Sequence, residues 1–248
     1  MSDMSGRTTI VVGASRGLGH GVATAFADAG APVIAVARTA MDFPVPANGA
    51  GSIQPEIADA GEATVPATLI DQYEPEAVVL VAGATPHMRA LQEQTWETFS
   101  VNWETDVRIT FHWLREVLLK PLRPGSRVIV VSSGAVLGGS PLSGGYAGAK
   151  ATQRYITGYA QDEAKRAGLD ITFTTVLPRF APMTGVGLPA VRAYAARAGK
   201  STEEFVNRIG PPLTPQIAGA AMVDLVRADA ATVAPGYELT GAGLQKLS

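Results

Sequence analysis

The chain has 248 residues, of which 46% are hydrophobic and 17% are charged. This composition supplies a large apolar core and excludes a disordered chain. The 20 lysines and arginines stand against 22 acidic residues, with no basic block, so we expect no nucleic-acid partner. The absence of cysteine excludes disulfides, thiolate metal sites and thiol nucleophiles. Redox chemistry would therefore require a bound cofactor.

Targeting segments are not evident in the sequence. The first six residues are polar and lack the basic and apolar parts of a secretory signal. No uncharged apolar run approaches the roughly 20 residues needed to cross a bilayer. We therefore expect a cytoplasmic protein with no membrane partner. Because no polar linker marks a boundary, we expect one domain over residues 1–248.

Short β-branched runs alternate with longer stretches of helical spacing. The runs are continuously apolar, which is typical of strands buried on both faces of a parallel sheet. They cover residues 8–12, 33–37, 77–81, 127–132 and 171–176, with further strands at 52–57 and 237–240. The helical stretches cover residues 17–29, 95–119, 146–167 and 214–228. The alternation predicts an α/β fold of the Rossmann type, a doubly wound parallel sheet of about seven strands with helices on both faces.

Two segments interrupt this alternation. Proline and glycine disfavour a helix over residues 39–51, which we predict as a loop. Residues 179–212 follow a strand's carboxyl end and contain one predicted helix at 189–198. Ligands bind at that edge of open α/β sheets, so we expect this segment to close over a substrate as a lid. Its apolar members that could line a pocket are Phe180, Met183, Val186, Leu188, Val191, Tyr194 and Phe205.

A glycine turn joins the first strand to the first helix. It consists of Gly13, Ala14, Ser15, Arg16, Gly17, Leu18 and Gly19. Backbone N–H groups and the positive end of a helix dipole can face a pyrophosphate at such a turn. The spacing alone is weak evidence in a chain with 27 glycines, and a turn without a ligand is the alternative. Its position after the first strand favours a dinucleotide site.

The end of the second strand bears on the choice of cofactor. Sites for NAD commonly place an acid about 20 residues beyond the glycine turn to bind the ribose hydroxyls. Here the strand ends with Arg38 and no carboxylate, and Arg16 lies in the glycine turn. Both guanidinium groups could pair with a 2′-phosphate, which favours NADP(H). The alternative is that both arginines are simply exposed to solvent.

Three residues form a candidate catalytic group. Lys150 follows Tyr146 by four residues, so both side chains lie on one face of a helix. A nearby ammonium group stabilises the phenolate that a tyrosine general acid and base must form. Ser133 follows a predicted strand and could turn its hydroxyl into the same crevice. The three groups would then meet at the ligand-binding edge of the sheet.

With the turn at 13–19 and the trio Ser133, Tyr146 and Lys150, the chain resembles the classical short-chain dehydrogenase/reductase family over nearly its whole length. The resemblance implies that Tyr146 exchanges a proton with the substrate oxygen, that Ser133 hydrogen-bonds this oxygen, and that Lys150 binds the nicotinamide ribose. It also implies hydride transfer between the nicotinamide and a carbonyl or secondary alcohol. A homodimer or homotetramer is a further implication.

Among the positions where the chain departs from the family pattern, two bear on the chemistry of the site. Asp106 stands where the family has an asparagine that holds a water molecule of the proton relay, and we expect it to act beside the trio and alter the charge near Lys150. Asn102, one turn earlier, either takes over the amide's part or lies at a surface or interface. Arg179 replaces a glycine beside the nicotinamide. It either meets an anionic substrate or cofactor phosphate, or turns outward to solvent.

Further cofactor contacts are implied by the resemblance alone. They are Ile57, Ala82, Gly83, Pro178, Arg179 and Thr184. The three histidines show no metal-ligand spacing, so we predict no metal site.

The preferred hypothesis is an NADP(H)-dependent ketoreductase-type oxidoreductase, which acts on the carbonyl or secondary alcohol of a small molecule with a non-polar body. Two alternatives remain open. The chain could be a nucleotide-binding sensor or scaffold without turnover, because Asp106 and Arg179 alter the site. It could also use Ser133 and Tyr146 for an elimination or isomerisation, without any change in nicotinamide absorbance.

Overall fold

The computed structural model describes residues 4–46, 51–182 and 184–247. Within these ranges, eight strands form one sheet. They are β1 (Thr9–Val12), β2 (Pro32–Ala37), β3 (Ser52–Ile57), β4 (Ala77–Leu80), β5 (Ser126–Val131), β6 (Ile171–Pro178), β7 (Gly236–Thr240) and β8 (Gly243–Lys246). The order across the sheet is β3-β2-β1-β4-β5-β6-β7-β8, and every pairing is parallel except that of β7 with β8.

The helices cover both faces of this sheet. They are α1 (Gly17–Asp28), α2 (Thr64–Tyr73), α3 (Trp96–Asn102), α4 (Arg108–Leu119), α5 (Ala135–Gly138), α6 (Tyr146–Arg166), α7 (Gly187–Arg197), α8 (Thr202–Ile209) and α9 (Pro215–Arg227). A π-helical turn, Trp103–Val107, joins α3 to α4. Helices α1 and α9 pack on one face of the sheet, and α2, α4 and α6 pack on the other.

Two apolar layers hold the sheet in place. Every residue of β1 and β4 is buried, because successive side chains of a strand point to opposite faces and both faces are covered. Phe26 of α1 and Met222 of α9 belong to one layer. Trp113 of α4 is the largest fully buried side chain of the other layer. The central strands are thereby fixed, and their carboxyl ends form a rigid edge.

The predicted Rossmann-type fold is confirmed, with elements that the sequence analysis did not predict. β8 is a partly exposed edge strand, so it carries little of the apolar pattern of the central strands. Helix α2 has Pro66 in its first turn, where proline is tolerated but weakens a helical prediction. The lid contains α8 after the predicted helix, which itself begins at Gly187. Residues 47–50 of the predicted loop and Met183 of the lid lie outside the described residues.

The predicted helix over residues 95–119 is interrupted by the π-helical turn Trp103–Val107. The carbonyl oxygen of Asp106, within this turn, accepts hydrogen bonds from the Thr110 hydroxyl at 2.9 Å and the Gln153 amide at 3.2 Å. Two side chains therefore supply the hydrogen bonds to this backbone carbonyl group at the point where the helix is irregular. Such turns occur frequently at functional sites.

Candidate active site

A cavity of about 610 Å³ opens along the carboxyl ends of the central strands. The strand order reverses between β1 and β4, and ligands of open α/β sheets bind at this kind of edge. The predicted site residues that line it are Gly13, Ser15, Arg16, Gly17, Leu18, Gly19, Arg38, Ala82, Gly83, Asp106, Ser133, Tyr146, Lys150, Pro178, Arg179 and Thr184. The structure therefore brings together residues that are up to 171 positions apart, from Gly13 to Thr184.

The glycine turn forms the floor of one half of the cavity. A Cβ atom on Gly13 would lie 2.6 Å from Cα of Ala82, so the ends of β1 and β4 can approach this closely only with glycine here. A Cβ atom on Gly19 would lie 2.1 Å from the carbonyl oxygen of Gly13, which requires glycine a second time. Within the described ranges, no side chain caps the start of α1. Its first backbone N–H groups are therefore available to an anionic group.

The far end of this half carries charged side chains. Arg16 and Arg38 both line the cavity and are exposed. Asp59 lines it too, and its carboxylate accepts a hydrogen bond from the backbone N–H of Gly61 at 2.9 Å. Ile57 is 63% exposed and is not among the lining residues that are described. The three residues that follow it, 58–60, line the cavity instead.

The three candidate catalytic residues lie in the other half of the cavity. Ser133 follows β5, and its hydroxyl accepts a hydrogen bond from the backbone N–H of Ala135 at 3.2 Å. Tyr146 begins α6, and Nζ of Lys150 lies 5.6 Å from the centre of its ring. The hydroxyl of Ser132 donates to the carbonyl oxygen of Lys150 at 2.7 Å. This hydrogen bond ties the end of β5 to the first turn of α6, so the trio is held between two rigid elements.

Asp106 forms a buried ion pair with Lys150. Oδ2 of Asp106 lies 3.0 Å from Nζ of Lys150, and the two side chains are 0% and 6% exposed. Oδ1 accepts a hydrogen bond from the backbone N–H of Ala84 at 2.8 Å. The buried amide of Asn102 donates to the carbonyl oxygen of Ala84 at 2.8 Å and to both carboxylate oxygens at 3.3 Å. Asn102 therefore lies in the interior and orients Asp106, rather than lying at a surface.

The ion pair sets the charge of Lys150. Burial on its own lowers the pKa of a lysine, because it disfavours the ammonium form. The Asp106 carboxylate, together with Tyr146, outweighs burial and raises the pKa of Lys150 above its ordinary value of 10.5. Lys150 is therefore an ammonium group at neutral pH. A buried charge of this kind is tolerated only with a partner.

Residues of the predicted lid line the cavity, and side-chain hydrogen bonds hold this segment both within itself and to a neighbouring loop. The hydroxyl of Thr184 donates to the carbonyl oxygen of Ala181 at 2.8 Å and accepts from the backbone N–H of Gly187 at 3.0 Å. It thereby stabilises the turn that enters α7. The hydroxyl of Tyr194, on α7, hydrogen-bonds Oγ of Ser140 at 2.8 Å. The second contact links the lid to the loop that follows Ser133.

Four of the apolar lid residues predicted for the pocket line the cavity, namely Phe180, Val186, Tyr194 and Phe205. The rings of Phe180 and Phe205 pack edge to face with their centres 6.0 Å apart. Val191 is fully buried in the interior instead, and Leu188 is 37% exposed. The lid therefore gives the catalytic half of the cavity an apolar roof.

Arg179 directly follows β6, and its side chain lies beside the residue that follows Ser133. A Cβ atom on Gly134, the residue after Ser133, would lie 2.8 Å from Cδ of Arg179. Nε of Arg179 pairs with the carboxylate of Glu238 on β7. Its backbone N–H donates to the carbonyl oxygen of Leu239 at 2.8 Å. Arg179 is half-exposed and lines the cavity. It is therefore neither a buried structural residue nor a surface residue without contacts.

The sequence model of the family described as short chain dehydrogenase matches residues 7–187, a range that contains the glycine turn, the three candidate catalytic residues and Arg179. The chain belongs to this family. The family membership predicted from the motifs is confirmed. No curated protein is similar enough to the chain to match it.

Solved structures of short-chain dehydrogenases share the fold at low sequence identity. One from Mycobacterium avium is 20% identical, with a TM-score of 0.77, over 100% of this chain and 86% of that protein. A short-chain type dehydrogenase/reductase from Mycobacterium ulcerans is 20% identical, with a TM-score of 0.78, over 98% and 94%. One from Burkholderia cenocepacia J2315, in complex with NADP, is 19% identical, with a TM-score of 0.71, over 96% and 89%.

Some features of this short-chain dehydrogenase were not predicted from its sequence. Glu238 lies 59 residues beyond Arg179, and no local pattern links the two. Gln153 hydrogen-bonds the π-helical turn from α6, and only its position one turn after Lys150 hints at this contact. Ile57 was predicted to contact the cofactor, whereas residues 58–60, which directly follow it, line the cavity.

Metal and membrane features complete the description of the dehydrogenase. In the part of the chain that the structure describes, no group of three or more histidine or acidic side chains could hold a metal ion. No helix in those ranges combines the length and the apolarity needed to span a membrane.

Proposed function

We propose that the chain is an NADP(H)-dependent oxidoreductase that interconverts a carbonyl and a secondary alcohol on a small molecule with a non-polar body. The observation that carries the proposal is the buried Lys150 ammonium group beside Tyr146, in one cavity with Ser133 and the glycine turn. Oxidoreductase chemistry follows from the family. The cofactor, the roles of the residues and the substrate class are our inference.

The cavity fits a nicotinamide dinucleotide. The glycine turn is a cradle that Cβ atoms on Gly13 or Gly19 would fill, and the open start of α1 suits a pyrophosphate. Arg16 and Arg38 would bind a 2′-phosphate. Residues 58–60 would face the adenine, and Ala82 and Gly83 would contact the adjoining ribose. Pro178 and Thr184 would border the nicotinamide, and Lys150 would bind its ribose.

The catalytic residues handle the proton and the developing charge. In the reductive direction, Tyr146 donates its phenolic proton to the substrate oxygen, while the Ser133 hydroxyl hydrogen-bonds that oxygen. In the oxidative direction, Tyr146 accepts the proton from the alcohol. Bound nicotinamide supplies or accepts the hydride. The apolar lid excludes water from the reacting oxygen, which strengthens both hydrogen bonds.

Asp106 holds the lysine rather than a relay water in this proposal. Its Oδ2 contact with Nζ of Lys150 fixes the ammonium group beside Tyr146. It also makes the buried pair neutral, so the site carries less positive charge than the family's amide would leave. Asn102 orients the carboxylate through its amide. Asp106 is thus a positioning residue for the reaction.

A nucleotide titration followed by a substrate panel tests the function. We expect NADPH to bind more tightly than NADH in a fluorescence titration of the purified protein. We further expect NADPH absorbance to fall when apolar aldehydes and ketones are added. Binding without oxidation of NADPH by any carbonyl would favour the sensor or the non-redox alternative. The absence of binding by either nucleotide would contradict the cofactor assignment itself.

Replacing Arg38 with aspartate is expected to move the nucleotide preference from NADPH toward NADH. The substitution removes a cation that pairs with the 2′-phosphate and adds an acid that can bind ribose hydroxyls. The ratio of the two dissociation constants should change roughly tenfold to a hundredfold, the range for a hydrogen bond to a charged group. Arg197→Asp, at an exposed position on α7, is the matched control. A constant ratio in Arg38→Asp would refute the assignment.

We also propose that a second copy packs on the helices that contain the site. Four aromatic side chains of the π-helical turn, α4 and α6 are exposed, namely Trp103, Phe111, Tyr155 and Tyr159. Exposed aromatic residues are enriched at subunit interfaces. A homodimer or homotetramer would cover them. A cytoplasmic location is part of the same proposal, consistent with a chain that contains no cysteine.

A further inference from the structure

Arg179 lines the cavity beside Gly134 and, in the described part of the chain, keeps part of its guanidinium group unpaired. Lys150 is neutralised there by Asp106 at 3.0 Å. Arg38 directly follows β2, and Arg16 lies in the glycine turn with its Nε 3.7 Å from where a Cβ atom on Gly185 would stand. Both are assigned to the cofactor phosphate in the proposed function. The other described residues around Ser133 and under the lid are uncharged. An anionic group on a substrate would therefore find free N–H donors on Arg179.

Glu238 orients Arg179 without using its whole guanidinium group. The carboxylate of Glu238 accepts a hydrogen bond from Nε of Arg179. In the described part of the chain, neither Nη nitrogen of Arg179 has a hydrogen-bond or ion-pair partner. Arginine presents its N–H donors in a planar fork, so the two Nη atoms remain able to bind a carboxylate. The carboxylate of Glu238 is 17% exposed and Arg179 is 50% exposed. Glu238 thus pairs with the base of the fork and leaves both Nη atoms without a protein partner in the described part of the chain.

The position of Arg179 relates this fork to the reacting oxygen. Its Cδ lies against Gly134, where a Cβ atom would come within 2.8 Å, and Gly134 directly follows Ser133. The backbone of Arg179 is hydrogen-bonded to β7, and the N–H of Gly134 donates to the carbonyl oxygen of Pro178 at 2.8 Å. The arginine and the serine are therefore fixed on adjacent pieces of backbone. A group bound by one would lie within a short molecule's reach of the other.

From this geometry we propose that Arg179, oriented by Glu238, binds a carboxylate on the substrate, so that the substrates of this enzyme are oxo acids and the corresponding hydroxy acids. The inference rests on the proposed function and names its substrate class. In reduction, hydride adds to the carbonyl carbon, the Tyr146 proton adds to the oxygen, and the carboxylate stays bound to Arg179 unchanged. The apolar lid accommodates the remaining carbon chain.

A binding experiment tests the carboxylate site without any turnover. Butanoate and butanamide are titrated into the protein, with and without NADP⁺, by calorimetry, using the wild type and Arg179→Met. We expect butanoate to bind wild type with a dissociation constant at least about tenfold lower than Arg179→Met. Butanamide should not distinguish the two proteins to this extent. Equal affinities for butanoate, or no binding to either protein, would overturn the inference.

Steady-state kinetics test the same site during reduction. Pyruvate, acetoacetate and levulinate are compared with their methyl esters as oxidants of NADPH. The three acids differ in the number of carbon atoms between the ketone and the carboxylate, and we expect wild type to prefer at least one of them over its methyl ester. In Arg179→Met, the acid-to-ester ratio of kcat/KM for that compound should fall at least about tenfold. Glu238→Gln keeps the arginine and removes its counter-charge, so its ratio should equal or exceed that of wild type.

The remaining outcomes separate this inference from the proposed function. Oxidation of NADPH by neutral ketones or esters but by no acid would leave the function standing and overturn the oxo-acid assignment. Weaker NADPH binding in Arg179→Met with an unchanged acid-to-ester ratio would assign Arg179 to the cofactor instead. Equal losses of melting temperature in Arg179→Met and Glu238→Gln, again with an unchanged ratio, would make the pair a structural link between β6 and β7.

Discussion

Replacing Tyr146 with phenylalanine is expected to lower kcat by about 100-fold to 10,000-fold, the usual contribution of a general acid or base. The ring and its position above Lys150 are kept, and only the proton that is donated to the substrate oxygen is lost. The affinity for NADPH should stay close to that of wild type, because the glycine turn and Arg38 are untouched. Initial rates of NADPH oxidation and a fluorescence titration measure the two quantities.

A second tyrosine on the same helix supplies the control. Tyr155 lies on α6 and is 64% exposed, so Tyr155→Phe makes the same chemical change away from the cavity and keeps the aromatic ring that the proposed interface would bury. Its rates should match those of wild type. If Tyr146→Phe turned over substrate as fast as Tyr155→Phe, Tyr146 would not be the acid and base. If instead Tyr146→Phe lost NADPH binding, the loss of rate would reflect the cofactor site.

Replacing Lys150 with methionine is expected to lower the free energy of unfolding by about 3–5 kcal/mol, the usual cost of leaving one member of a buried ion pair alone. The Asp106 carboxylate, which is 0% exposed, would lose its counter-charge. The double variant Asp106→Asn with Lys150→Met removes both charges and should recover most of the loss. Urea denaturation of the two single variants and the double variant completes the cycle.

The pH dependence of this loss follows from the charge of the lysine. Because folding raises the pKa of Lys150 above its ordinary 10.5, its contribution to stability is fully present below that value and disappears only as the pH rises through the folded-state pKa. The difference between wild type and Lys150→Met should therefore stay constant from neutral pH to about pH 9.

An exposed lysine on the same helix is the control for this experiment. Lys165→Met, in the last turn of α6, should change the free energy of unfolding by less than about 0.5 kcal/mol. A similarly small loss in Lys150→Met would show that Asp106 does not depend on the lysine. A double variant no more stable than Lys150→Met alone would lead to the same conclusion.

Much of the fold and part of the site could be predicted, because the patterns that indicate them involve residues that lie close together in the sequence. The continuously apolar runs identify the central parallel strands, since a strand buried on both faces has no polar side. The glycine turn can be recognised in the sequence because the fold requires glycine there. At Gly13 and Gly19 the neighbouring backbone leaves no room for a Cβ atom. Tyr146 and Lys150 share one helix, so their spacing alone puts them on the same face. The edge strand β8 and helices α2 and α8 have weaker patterns and were not predicted.

The sequence by itself determined the family, the Rossmann-type parallel sheet, and most of the residues that line the cavity. Only the tertiary structure decided how those residues pair. It buries Asp106 against Lys150 and joins Arg179 to Glu238, contacts that span 44 and 59 positions along the chain. The strength of an ion pair depends on the distance between the two charges and on their burial. Residue types alone reveal neither the distance nor the burial when the partners lie on different strands and helices.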